Sequence, residues 1–202
     1  MDPISAKLQS LGYAPAPWRV AATEEFVSSF ERDRGLRLPA AYRSFLLEFG
    51  AMIGEAKCDF LEPITPVGQT CGVDLFYGRA APDAQVYDVR WATDAAGLAP
   101  EFVAVAKATW GFCMVVVRCG GPDDGSVYLL DADQRSLWPD EEFRRMFPAL
   151  HPRIEDYLER RRAGRLPAKP AGYESLYLVA RDLDEFLARL EPVTYDDDSD
   201  SG

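Results

Sequence analysis

The sequence predicts one α+β domain, and three observations point there. Segments of helical period open and close the chain. The middle breaks into short runs rich in Val, Phe and Tyr. A Gly-Gly-Pro-Asp-Asp-Gly turn at 120–125 calls for antiparallel pairing of the runs on either side. At 202 residues, with 48% hydrophobic and 27% charged composition, the chain is long enough to bury a core without disulfide or metal staples.

The elements follow in order. Ile4, Leu8 and Leu11 ahead of Gly12 predict a short opening helix, and Ala14-Pro15-Ala16-Pro17-Trp18 a loop. Residues 23–34 form a second helix. Thr23 is its N-cap, Glu24 and Glu25 oppose the positive end of its dipole, Phe26, Val27 and Phe30 make its apolar stripe, and Gly35 stops it. Pro39 starts a third, because a missing N–H costs nothing in a first turn. There Tyr42, Phe45, Leu46 and Phe49 share one face, and Gly50 ends it. Strands are expected at 59–65, 74–77, 101–108, 112–119 and 126–131. The run 112–117 is apolar at every position, which places it centrally with both faces covered. A crossover helix is expected at 87–96, and helices at 140–147 and 152–162. A basic Pro/Gly stretch follows at 163–172, then a closing helix at 182–190 with Leu183, Phe186, Leu187 and Leu190 on one side.

Charge is the first functional clue. Twenty-two Lys and Arg against 33 Asp and Glu give −11, which opposes binding to nucleic acid or to an anionic membrane surface. Five of these acids (Glu191, Asp196, Asp197, Asp198, Asp200) stand in the last twelve residues without a base, so 191–202 reads as a disordered acidic tail behind a domain spanning 1–190. No targeting segment opens the chain and no apolar run could span a bilayer. The four cysteines (Cys58, Cys71, Cys113, Cys119) form no Cys-x-x-Cys pair, so a cytoplasmic protein with free thiols is expected.

Catalytic and ligand motifs give way to plainer readings. The only histidine, His151, sits between Leu150 and Pro152 at a helix start, where it caps or faces solvent. There is no Gly-x-Ser-x-Gly elbow, no glycine loop before Lys-Ser or Lys-Thr and no Gly-x-Gly-x-x-Gly, so no cofactor and no catalytic residue is called for. Asp131-Ala132-Asp133 is similar to the metal-binding Asp-x-Asp of sugar transferases, but a strand-ending turn explains it. Asp196-x-Asp198-x-Asp200 lacks the glycine and terminal glutamate of a calcium loop, so no metal is assigned. The arginines at 160–162 suit a helix C-terminus.

Two stretches carry a resemblance. Phe30-Glu31, Gly35-Leu36, Leu38-Pro39, Tyr42 and Phe45-Leu46 resemble the opening signature of the SUKH superfamily, in which a glycine and a leucine-proline turn join two helices. Where that family usually shows Asn-Gly-Gly, this chain has Glu48-Phe49-Gly50-Ala51. Phe102 to Ala106, Trp110-Gly111, the strand to Val117 and Gly125 to Asp131 are similar to the family's central hairpin, and Val179 to Leu187 to its closing helix. Segment 136–176 reads as an insertion. The resemblance implies a mixed, mostly antiparallel sheet flanked by helices, and binding rather than chemistry. Most bacterial members are immunity proteins that neutralise a cognate toxin, and a fungal branch regulates cell-wall synthesis as non-inhibitory scaffolds. The expected partner is a basic toxin domain, such as a nuclease, covered at one-to-one stoichiometry. An acidic inhibitor is steered to such a partner. Interface aromatics and acids place the partner surface at the hairpin end holding Trp110, Asp131 and Asp133, with Asp123 and Asp124 at the turn as the alternative.

Overall fold

The computed structural model describes residues 3–109, 113–147 and 149–193. Helix α1 (Pro3–Ser10) leads to a two-residue strand β1 (Ala14–Pro15), then α2 (Glu24–Arg34) and α3 (Ala40–Glu48). Strands β2 (Met52–Asp59) and β3 (Thr70–Phe76) come next. A 3-10 turn and α4 (Val89–Ala95) connect them to β4 (Phe102–Ala108), β5 (Met114–Arg118) and β6 (Val127–Leu130). Helices α5 (Asp140–Met146) and α6 (Pro152–Arg162) precede β7 (Leu176–Ala180), α7 (Leu183–Arg189) and β8 (Glu191–Pro192). The eight strands form one sheet in the order β1-β2-β3-β4-β5-β6-β7, with β8 beside β1 on the outer edge of β2. Every ladder between these strands is antiparallel.

Local signals build the helices. Thr23 accepts a hydrogen bond from the Phe26 N–H, and Gly35 closes α2 in the left-handed region at φ +66°. The α2 and α3 stripes (Val27, Phe30, Tyr42, Phe45, Leu46) and those of α1 and α7 cover one face of the sheet. There they meet Val73, Leu75, Val115, Val117, Leu129 and Val179 in the main core. Burial of this kind contributes roughly 1.5–3 kcal/mol per large side chain. Where β4 slips its register, Ala104 finds partners in side chains: its N–H donates to Thr93 Oγ1 at 3.1 Å and its carbonyl accepts from Tyr42 at 2.8 Å. Opposite, Phe102, Val116, Tyr128 and Leu176 form a second core on the other sheet face. A third (Phe143, Ile154, Tyr157, Leu158) joins α5 to α6.

Several expectations need correction. The loop expected at 14–18 begins with strand β1, which pairs with Met52 and Ile53. The strand expected at 59–65 lies earlier, at Met52–Asp59. Its sequence, with Gly, Glu, Lys and small Ala and Cys, has little strand propensity, and what places it is packing: Tyr13 lies across Gly54, where a Cβ would fall 2.6 Å from the ring. The run expected at 74–77 begins four residues earlier as β3. Helix α4 joins antiparallel neighbours, so it is not a parallel crossover. Val179 and Ala180, assigned by resemblance to the closing helix, end the strand before it, β7. The chain pairs with β2 two residues past Leu190 through Glu191–Pro192. Trp110, Gly111, Phe112 at the start of the run 112–117, and Tyr195–Gly202 lie outside the described residues.

Candidate partner-binding site

The β5–β6 hairpin positions both sets of aspartates expected to meet a partner. At its turn, Gly120 and Gly121 each take φ +81°, and Asp124 accepts a hydrogen bond from the Gly120 N–H. Asp123 turns back over the outer sheet face. Its Oδ2 accepts from Tyr128 at 2.9 Å and Tyr173 at 2.8 Å, and its Oδ1 lies 3.5 Å from Arg118 Nε. Phe102, Tyr128 and Tyr173 meet edge to face with centroids 5.5–6.0 Å apart, and the Arg118 guanidinium lies 5.5 Å from the Phe102 and Tyr173 ring centroids. Burial first, then the Asp123 hydrogen bond, pushes the Tyr128 hydroxyl up to about 12.

These contacts pin the basic Pro/Gly stretch across the sheet and leave a cleft of about 550 Å3 lined by Pro122, Tyr128, Pro167, Lys169 and Tyr173. Lys169 pairs with Glu62 at 2.9 Å and stands 3.9 Å from the Tyr177 ring centroid. Burial pushes its pKa down, with Glu62 opposing. Glu62 exchanges hydrogen bonds with Leu178, donating from its own N–H and accepting on its carboxylate, both at 3.1 Å. It thereby closes part of the free edge of β7.

At the other end of the hairpin, Asp131, Asp133 and Cys113 converge on one cation. Arg135 donates to Asp131 Oδ1 at 2.8 Å, to Asp133 Oδ2 at 2.7 Å and to the Cys113 sulfur at 3.4 Å. The three ligand-type atoms lie within 4.8 Å of one another, a spacing that suits a metal ion, and the guanidinium already contacts all three. Asp131 has no accessible surface. Its other oxygen accepts from the Arg135 N–H at 2.7 Å, which corrects the expectation that it stands on an open interface. Burial pushes its pKa up, and Arg135 opposes this. Asp133 is half-buried and Asp124 exposed.

The remaining motif residues have structural partners. The Nδ1 of His151 accepts from the Arg153 N–H at 3.2 Å and starts α6. All four cysteines are buried, and burial pushes the Cys58 thiol up to about 11 and Cys119 up to about 12, so both are protonated near neutrality. Of the arginine run, Arg161 and Arg162 both hold Asp140 at the start of α5, while Arg160 pairs with Asp156.

The arrangement is one of bound charges and packed rings around a hairpin, and over residues 21–189 the sequence matches the SMI1/KNR4 family (SUKH-1). The chain belongs to that family. Membership supports an immunity or regulatory role exercised through protein–protein interaction. No curated protein and no solved structure matches this SMI1/KNR4 chain. Among its described residues, no helix is long and apolar enough to cross a membrane.

Sequence reasoning passed over one surface of this family member. Helices α1, α3 and α7 enclose a groove of about 370 Å3, with Phe45 and Leu187 in its floor and Glu48 and Asp184 on its rim. The signal was present in the sequence: an acid in the last turn of a well-defined helix, at the negative end of its dipole.

Proposed function

We propose that this SMI1/KNR4 protein is an immunity-type inhibitor that neutralises a basic toxin domain by covering its active cleft at one-to-one stoichiometry. Family membership supports a binding role, and the observation that chooses among binding roles is charge. The chain carries −11 overall, and most of its arginines are already engaged in internal ion pairs, so acid predominates in what it offers a partner. An acidic inhibitor gains association rate toward a basic nuclease-like toxin and occupies the site that its nucleic acid would take. The setting for such an encounter is the cytoplasm.

The test mixes the purified chain with any toxin domain encoded beside its gene. A one-to-one complex is expected by mass, with toxin activity falling to zero at equivalence. A stable complex that leaves activity intact would replace this reading with a scaffold role, and no complex at micromolar concentration would remove both.

A further inference from the structure

We infer that the partner docks in the groove between α1, α3 and α7, and that this groove receives a cationic amphipathic segment of the partner protein. The inference rests on the binding reading above and adds the surface and the chemistry of what fits it.

The floor is apolar: Phe45 and Leu187 are buried, and Ala41 and Phe49 are half-buried around them. Ala40 and Ser44 are exposed and small, which lets another backbone approach closely. Glu48 and Asp184 stand exposed on the rim, and neither side chain has a hydrogen bond or ion pair among the described residues. Among the described residues, no lysine or arginine lines the groove. Four other surface depressions differ here, since each brings cations of its own: Arg37 and Arg43 in one, Arg118 and Lys169 in the cleft under the Pro/Gly stretch, Arg34 in a third, Arg90 in the last. An apolar floor with a purely acidic rim is complementary to Lys or Arg set one helical turn from Leu or Ile.

Glu48 adds a second, independent argument. It lies in the last turn of α3, where the helix dipole is negative and favours cations, and that turn holds no basic residue. Arg19 donates to the Glu48 carbonyl oxygen at 3.0 Å but forms no ion pair with its carboxylate. The helix end is thus answered by Arg19 while the Glu48 carboxylate has no partner among the described residues, the pattern expected where a surface charge is kept for function. A cation delivered by the partner would meet the carboxylate and the helix end together. A second copy of this chain is a poor occupant, because two bodies at −11 repel.

The full-length chain, 15N-labelled, would be titrated with a synthetic Leu/Lys amphipathic helical peptide, and separately with its Leu/Glu counterpart, up to about 1 mM. The Leu/Lys peptide should shift resonances confined to 4–8, 40–49 and 184–187. The double variant Glu48→Lys, Asp184→Lys should raise its Kd about tenfold or more, an effect that shrinks with added salt. Asp83→Lys, an exposed site on another element, should change Kd by less than about twofold. Shifts elsewhere, no shifts, equal binding of the Leu/Glu peptide, or concentration-dependent self-association through 41–49 would each overturn the proposal. If the double variant unfolds, Glu48→Gln with Asp184→Asn takes its place. With the toxin domain, inhibition by wild type but not by the variant supports the groove. Equal inhibition by both removes the groove and leaves the inhibitor reading standing, whereas no inhibition by either removes that reading.

Discussion

At the closing end of the β5–β6 hairpin, Asp131 and Asp133 share one guanidinium, whereas on the helical face Glu48 and Asp184 have no ion-pair partner among the described residues. Both pairs look alike in the sequence, as acids beside aromatic or apolar residues. The difference lies in what each charge already does for the fold. Asp131 is buried, and its removal takes from Arg135 one of its two carboxylates and the acceptor of its backbone N–H, so it belongs to the interior. Glu48 can be neutralised without leaving any group unpaired. An acidic patch offers a partner only the charge that the protein has not already used.

The largest test of that contrast is Asp131→Ala, which leaves the half-buried Arg135 guanidinium with Asp133 alone and its backbone N–H without an acceptor, and should cost about 2–3 kcal/mol by urea unfolding. Replacing both Asp131 and Arg135 with apolar residues of similar volume should recover most of that loss. A single variant within about 0.5 kcal/mol of wild type would show that the ion pair is idle and would erase the distinction.

Next in size is the hydroxyl of Tyr173, which ties the Pro/Gly stretch to Asp123. Tyr173→Phe should cost about 1–2 kcal/mol, since Tyr128 still donates to the same oxygen. It should also raise proteolytic cleavage within 163–172. Unchanged cleavage would mean that Lys169 and Glu62 hold the stretch alone.

A third prediction concerns acid. Glu185 accepts from the Arg181 guanidinium and backbone N–H, and these bonds hold its carboxyl down from 4.5 to about 2. A carboxyl held low in the folded state stabilises fully above its unfolded pKa, and that contribution is lost as pH falls toward 2. Glu185→Gln should therefore lower the urea midpoint near neutrality and flatten its decline below about pH 4.5. Parallel pH curves for the two proteins would rule this out.

The smallest expected effect is the most telling one. Glu48→Gln should leave stability within about 0.5 kcal/mol, or raise it slightly, because it removes an acid from a helix C-terminus. A loss above about 1 kcal/mol would give Glu48 a structural role and return it to the company of Asp131.

Much of the fold was legible in the sequence because its signals are local. Thr23, Gly35, Tyr42 with Phe45, and the apolar stripe of α7 declare themselves within a few residues, and the family resemblance rests on the order of such signals. Strand β2 was missed because it is held by Tyr13 over Gly54 and by neighbours on both sides, not by its own propensity. The candidate site was less legible still. Asp131 meets Arg135 only four residues away, yet its other contact, Cys113, lies just ahead of strand β5.

By itself the sequence determined the helix boundaries and the central hairpin, since caps, turns and periodicity act over one or two turns of chain. It also determined the acidity of the whole, and it pointed to the family. The tertiary structure alone decided the neighbours: which sheet edge each end of the chain completes, which aspartates are buried against arginines, and that α1, α3 and α7 meet around two unanswered carboxylates. Those outcomes depend on the packing of residues far apart in the chain, as where α1 is brought against α7, and no local pattern encodes the distance between them.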